Sequence, residues 1–316
     1  MKKIFQKFPV ELQGGILIIL AFIIIGPNDI LVPIIARDSG LWQFHFCRSL
    51  IAIALMTLLM VLTGQKFIIN NLISVIIRSI LYTFSMLIYF GCLSFLPIAI
   101  VGAGMFTAPI FVLIFSYFLF KQKIGINLIS AVVVGSFGVW LILNPSAENF
   151  SIYGLMPIFG GLFLAMGNMA TWRMCSEENP LILNIMFFIG IGIFGFFGTI
   201  IFSVFTFEFS DLVISDFFVL GWSNGTTLLW VLIFIQAIGS IIGIGLLTKA
   251  YQMADTSYLN IFEYSFFIFA GFSGWLFLGQ TILFDELIGI IFIIVSGIIA
   301  TFASNKTIPK NTFQEK

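Results

Sequence analysis

Apolar runs of about twenty residues follow one another along most of this chain. They are interrupted by short clusters of charged, Pro, Gly or Asn residues. The breaks predict ten helices, at 15–36, 41–64, 72–94, 97–120, 126–144, 153–175, 181–206, 226–250, 256–279 and 284–304. Each run is long enough, at roughly 20 residues, to cross the hydrocarbon core of a bilayer as a helix. The run that follows Lys2, Lys3 and Lys7 continues past the length of a secretory signal and has no small-residue cleavage site, so it is expected to stay as the first helix.

A second pattern lies over the first. Residues 89–143 and 248–302 are two versions of one segment. A shift of 159 positions brings Phe118-Leu119 onto Phe277-Leu278, Asn127-Leu128 onto Glu286-Leu287 and Gly138 onto Gly297. Five helices per copy is an odd number, so the second copy must enter the membrane from the opposite side. The predicted fold is an all-α integral membrane protein of ten transmembrane helices in two inverted five-helix repeats. The repeats cover 1–144 and 153–304, with 145–152 as linker and 305–316 as a cytoplasmic tail. Inverted repeats of this kind are the usual construction of secondary transporters.

Composition agrees with a membrane chain. Of 316 residues, 60% are hydrophobic and 9% are charged, where soluble domains carry about 25% charged residues. The placement of charge says more than its net value of zero. Loops and tails on the N-terminal side carry Lys2, Lys3, Lys7, Lys66, Lys121, Lys123, Arg173, Lys249, Lys306, Lys310 and Lys316, whereas the other side carries Arg37 alone. That bias predicts cytoplasmic termini and a cell (inner) membrane location. The outer stretch 207–225 is long enough for a short interfacial helix. Cys47, Cys92 and Cys175 lie in or beside apolar runs without a CxxC, and are expected as reduced thiols. No metal site, cofactor or nucleic-acid partner is expected.

Several stretches resemble one known family. They are GPNDILVPIIARDSGLWQFHFCRSLIA, holding Asn28, Asp29, Gln43 and Arg48; Phe106-Thr107-Ala108-Pro109-Ile110-Phe111 in the fourth helix; and Phe262-Glu263-Tyr264 running to Gly274-Trp275 in the ninth. In these the chain is similar to the drug/metabolite transporter superfamily, in particular its ten-helix EamA-type members, over about residues 12–304. The resemblance implies transport of a small polar metabolite, in a subgroup whose members carry S-adenosylmethionine, riboflavin or amino-acid-like molecules. The chain departs from the family pattern at Lys121 and Gln280, where acidic residues usually end the fourth and ninth helices, and at Pro33, where a Lys is common in the first.

Charged residues within the spans are the candidates for chemistry, because a charge at the bilayer centre costs at least about 2.5–3.5 kcal/mol. Glu263 lies seven residues into the ninth helix, about 10 Å deep. It reads either as a substrate or proton-carrying carboxyl or as a structural one. Tyr264 beside it reads as a substrate hydroxyl or as a packing residue. Asn260, one turn earlier, reads as a substrate donor or a helix bridge. Asp29 and Arg48 lie at similar depth on neighbouring helices and predict a buried pair, either holding a substrate carboxylate or clipping the helices together. Pro27, Pro33 and Pro109 are expected to kink their helices or free carbonyls near the midplane. Arg78 and Arg173 lie near cytoplasmic ends and are expected to snorkel to headgroups. His45, near Arg48, reads as structural or as a proton relay. The GxxxG of Gly239 and Gly243 and the glycines of the seventh helix predict close helix contacts.

The function this predicts is secondary active transport of a small polar organic metabolite by alternating access. Protons are a candidate coupling ion, the bilayer and the substrate are the partners, and a homodimer is a candidate assembly. The alternative is an intramembrane enzyme acting on a lipid or isoprenoid. Such enzymes cluster His, Asp, Glu or Arg at one membrane face, and this chain has a single His and no such cluster.

Overall fold

The structure, a computed structural model, describes residues 8–93, 95–96, 98–143, 152–205, 216–279 and 283–304, with the backbone alone at 98, 99, 143, 278, 303 and 304. Residues 145–151 of the expected linker, the tail 305–316 and Gln280 lie outside the described residues. Every regular element among the described residues is helical. In chain order the helices are α1 (Val10–Asp29), α2 (Leu31–Ile35), α3 (Leu41–Leu62), α4 (Leu72–Cys92), α5 (Ile98–Met105), α6 (Ala108–Phe118) and α7 (Ile126–Leu143). After a 3-10 turn at Ile152–Leu155 come α8 (Met156–Met174), α9 (Pro180–Val204), α10 (Asp216–Val219), α11 (Thr227–Met253) and α12 (Thr256–Leu259). A second 3-10 turn, Asn260–Tyr264, leads to α13 (Ser265–Leu278) and α14 (Phe284–Ser304). Eight helical stretches among the described residues are long and apolar enough to cross a membrane; Ile126–Ile142 is shorter. The short helix expected within 207–225 is α10.

Local chemistry explains the boundaries. Asn71, Asn179, Thr226 and Asp255 each turn a side-chain oxygen onto a backbone N–H of the first turn of α4, α9, α11 and α12. These caps satisfy donors that a helix start leaves open. Gly279, at φ 66°, ends α13 in the left-handed conformation. Two of the predicted spans are broken instead of straight. The fourth divides at Phe106-Thr107, just before Pro109, which sits in the first turn of α6. The ninth tightens into the 3-10 turn at Asn260–Tyr264. Pro27 lies inside α1, two residues before its end, and Pro33 lies within the short α2.

The surface inverts the pattern of a soluble protein. Val61, Leu62, Ile73 and Phe284 are among many large apolar side chains left exposed, whereas Gln43, His45, Asn168, Asn184 and Asn260 are buried. Such an exterior suits lipid, in which exposed apolar groups cost nothing and every polar group needs an internal partner. Trp140, Trp222 and Trp275 are about half exposed, as interfacial anchors are. The principal helix contacts are α1 with α11, α4 with α8, α3 with α9, α7 with α14, α1 with α13, and α8 with α5 and α6.

The α7–α14 contact depends on the absence of side chains. A Cβ on Gly138 would lie 2.7 Å from the carbonyl oxygen of Gly289, and one on Gly289 would lie 2.6 Å from that of Gly138. Gly138→Val is therefore expected to force the two backbones apart at a cost of about 1–3 kcal/mol. Thermal unfolding of the purified protein in detergent checks this against Gly271→Ala, at a glycine with no neighbour within 4 Å of the added carbon. A Gly138→Val variant as stable as Gly271→Ala would show that the two helices do not depend on this approach.

Candidate functional site

A cavity of about 150 Å³ lies among α1, α3, α4, α5, α8, α9, α11 and the Asn260–Tyr264 turn. Its walls are largely aromatic and apolar, with Phe22, Met86, Tyr89, Phe90, Phe106, Phe187 and Phe266 among them. Its polar lining includes Asn28, Asp29, Arg48, Arg78, Tyr82, Asn168, Gln236, Ser240, Thr248 and Glu263. Three residues singled out from the sequence, Asp29, Arg48 and Glu263, thus come together around one space.

Glu263 is held by two other helices. Its Oε1 lies 2.5 Å from Tyr251 Oη of α11 and accepts from Asn168 Nδ2 of α8 at 2.9 Å. Asn260 Oδ1 accepts from the same two groups, at 2.7 and 2.8 Å. In a 3-10 turn residues three apart eclipse one another, which is why Asn260 and Glu263 can share both partners. The Tyr82 hydroxyl of α4 donates to Asn168 Oδ1, so Asn168 joins three separate segments. Asn260 itself does not line the cavity, and its Nδ2 is buried without a partner.

Tyr264 departs from the expected substrate role. Its hydroxyl pairs with Ser136 Oγ of α7 at 2.9 Å, and its ring belongs to a buried cluster against which the partly buried Phe106 packs. Consecutive residues in a 3-10 turn point about 120° apart, so Glu263 and Tyr264 cannot face the same space.

Arg48 forms no direct ion pair with Asp29. Its Nη1 donates to Gln236 Oε1 at 3.3 Å, its Nη2 meets His45 Nδ1 at 3.1 Å, and its Nε has no partner. Its guanidinium carbon stands 4.8 Å from the Phe44 ring centroid and 5.5 Å from that of Phe90. These rings and Gln236 hold it from α3, α4 and α11, away from the carboxylate at the end of α1. An always-charged guanidinium can only donate, so His45 presents an unprotonated Nδ1 to it, and His45 is packed here as a positioning group. The polar contact from α1 to α11 is made by the neighbour, Asn28, whose Nδ2 donates to the Gln236 carbonyl at 3.1 Å. Gly239 of α11 faces that Asn28 side chain, where the GxxxG predicts a close contact.

Arg78 is the largest departure. It does not snorkel; it is 1% exposed and lines the cavity. Its Nε donates to Thr171 Oγ1 at 2.9 Å, Nη1 to the Leu183 carbonyl at 3.0 Å and Nη2 to Thr248 Oγ1 at 2.8 Å. The Tyr82 ring lies 4.6 Å from its guanidinium carbon. The sequence does carry a signal for these residues. Arg78 and Tyr82 on α4, and Gln236 and Ser240 on α11, are spaced four apart, so each pair marks one helix face.

Outside the cavity lining, side chains bond helices and loops to one another toward either end of the bundle. At one, Gln43 and Ser223 exchange two bonds, Gln43 Nε2 to the Ser223 carbonyl at 2.6 Å and Ser223 N to Gln43 Oε1 at 2.9 Å, while Thr226 Oγ1 donates to Asp38 Oδ2 at 3.0 Å. At the other, Ser116 Oγ and Ser257 Oγ lie 2.8 Å apart, Gln122 Nε2 donates to Asp255 Oδ2 at 3.2 Å, and Arg173 stacks on Phe120 and Trp172. Among the described residues no group of three His, Cys, Asp or Glu could hold a metal ion.

Comparison with known proteins agrees with this architecture. Residues 12–144 match the EamA-like transporter family. The riboflavin transporter of Vibrio cholerae serotype O1 (El Tor Inaba N16961) is 24% identical over 179 residues, 56% of this chain. The match spans about half of that relative, 53% of its length. The pseudopaline exporter CntI of Pseudomonas aeruginosa (strain UCBPP-PA14) is 22% identical over 266 residues, covering 84% of this chain and 87% of the exporter. Both relatives are members of the drug/metabolite transporter superfamily. A protein of known crystal structure shares the fold at a TM-score of 0.75 and 15% identity, over 93% of this chain and 99% of its own. The chain is thus a multi-pass membrane protein whose residues 12–144 match the EamA-like transporter family.

Proposed function

We propose that this protein is a secondary transporter of a small organic metabolite, amino-acid-like, S-adenosylmethionine-like or vitamin-like, working by alternating access. The observation that carries this is the cavity, a chamber with charged groups inside a lipid-facing shell, with side-chain bonds between segments toward either end of the bundle. The names of the two relatives, a riboflavin transporter and a pseudopaline exporter, support transport of a small metabolite.

The proposed architecture is ten membrane helices in two inverted halves, 1–144 and 153–304. The helix contacts support it. Exchanging each span with the one five places later converts the α1–α11 contact into α8–α4, and α1–α13 into the contact of α8 with α5 and α6. It carries α3–α9 and α7–α14 onto themselves. The two broken spans are the fourth and the ninth, and the shift of 159 places the end of α5 at Met105 on Tyr264, the end of the 3-10 turn. Halves related in this way can exchange conformations and so open the chamber to one side and then the other. The excess of Lys and Arg on one side supports cytoplasmic termini in the inner membrane. A homodimer belongs to the same proposal.

A proton is the proposed coupling ion, carried by Glu263. Tyr251 has one hydroxyl hydrogen but lies within bonding distance of two acceptors, Asn260 Oδ1 and Glu263 Oε1. The hydrogen count closes when Tyr251 donates to Asn260 and a protonated Glu263 donates to the Tyr251 oxygen. Turning the Asn260 amide over sets two amide nitrogens together. Turning Asn168 over as well sets its Oδ1 against Glu263 Oε1, which again needs the proton. Release of that proton and release of substrate would then change the same cluster.

Glu263→Gln keeps a neutral, hydrogen-bonding side chain that cannot titrate. In proteoliposomes given a pH gradient and labelled riboflavin, amino acids or S-adenosylmethionine, accumulation is expected to fall to the level of protein-free liposomes, while exchange between equal internal and external pools persists. A Glu263→Gln variant that still responds to the gradient would remove this carboxyl from coupling, and wild-type protein with no flux across the panel would count against transport.

The tie between Ser116 and Ser257 supplies a test of alternating access. In a Ser116→Cys, Ser257→Cys double variant, oxidation is expected to lock that end and stop flux, and reduction to restore it. Flux that continues with the disulfide formed would show that this end need not open.

A further inference from the structure

We infer that Arg78 is the anion receptor of the cavity, holding a carboxylate or phosphate group of the transported molecule. The inference rests on the transport reading above and names the substrate group that Arg78 would take.

The case begins with a charge that lacks a counter-charge. Arg78 is fully buried, and its three acceptors, two hydroxyls and a carbonyl, are all neutral. Among the described residues no carboxylate lies within ion-pair distance of it. A guanidinium presents five N–H groups, and three are used here, which leaves two open. A buried cation without a partner is costly in a membrane interior. The protein nonetheless holds this one in place. Thr171 Oγ1 donates to the Gly167 carbonyl at 2.8 Å, and Thr248 Oγ1 donates to Asn184 Oδ1 at 2.8 Å. Each hydroxyl spends its hydrogen elsewhere and so turns lone pairs to Arg78. The guanidinium is therefore held from three other helices, α8, α9 and α11, in a residue that also lines the cavity.

The other cation of the cavity stands apart from it. Arg48 is anchored at Gln236 and Arg78 at Thr248, and these anchors are twelve residues apart on α11, or about 18 Å along its axis. Arg48 shares its end of the cavity with Asp29, next to Asn28 and Gln236. At the Arg78 end the acidic group is Glu263, which bonds to Asn168 and Tyr251, Asn168 in turn accepting from the Tyr82 hydroxyl. A molecule with an anionic group and an apolar or aromatic body matches this layout, because the walls between the two ends are Phe, Tyr and Met. Its anion would complete the hydrogen bonding of Arg78, and its body would fill the aromatic space.

Binding by the purified, full-length protein in nanodiscs tests this without requiring flux. The probes are phenylacetate, phenyl phosphate and the neutral phenylacetamide, followed by intrinsic fluorescence and thermal shift. The expected result is that at least one anionic probe binds about tenfold or more tightly than the amide, the tighter of the two naming the preferred group. Arg78→Lys, which keeps the charge and loses the planar fork, is expected to weaken that probe by about tenfold. Thr248→Val keeps the guanidinium but removes the acceptor that aims Nη2, and is expected to change the affinity by about threefold or more, so the assignment can still be judged if Arg78→Lys does not fold. Equal binding of amide and anions, or anion binding unchanged in every folded variant, overturns the proposal. Anion binding that survives in a protein without flux would sink the transport reading and leave this one standing.

Discussion

A polar group inside a bilayer has no water to turn to, and the helix contacts around the cavity are arranged around that fact. Lipid tails are as apolar as leucine, so burying one more Leu between helices gains little over leaving it in lipid. Around the cavity, hydrogen bonds decide which helices lie together. Asn168 carries the most consequential set. One amide on α8 receives a bond from Tyr82 of α4 and gives bonds to Asn260 and Glu263 of the 3-10 turn. Removing it would leave a buried carboxyl and a buried hydroxyl short of partners, each worth roughly 1–3 kcal/mol. Arg78 has the same role one turn away, since its acceptors come from α8, α9 and α11.

That constraint also explains how much could be read from the chain. Helix positions were legible because the length of an apolar run is nearly the whole requirement for a span. Asp29, Arg48 and Glu263 could be singled out because charge is rare within the spans, and all three line the cavity. Their partners were not. Depth alone made Arg78 a snorkelling residue, since its stem could reach a headgroup; only the positions of Thr171, Leu183 and Thr248 on other helices show why it turns inward. Tyr264 is adjacent to Glu263 in sequence, yet the turn sends its side chain to Ser136. Asp29 and Arg48 lie at matching depth, but Phe44, Phe90 and Gln236 claim the guanidinium. In each case the sequence shows which group is costly to bury, and the tertiary contacts decide who pays for it.

The repeat, taken as proposed, is unequal where it matters most. The shift of 159 that aligns its copies places Gly104 opposite Glu263. The structure shows why a carboxylate could not occupy both positions. A Cβ on Gly104 would lie 2.5 Å from the Pro157 side chain and 2.9 Å from the Ile158 backbone nitrogen, so the first copy uses this place for a close approach of α5 to the start of α8. The second copy uses it to set a carboxyl among Asn168, Tyr251 and Asn260. Two halves that exchange shapes need similar backbones, because the motion is built from them. They do not need similar side chains at the centre, where a single substrate meets both. On that proposal, a glycine contact in one half and a carboxyl cluster in the other would give a device in which the backbone repeats while the chemistry is present once, at the Asn260–Tyr264 turn.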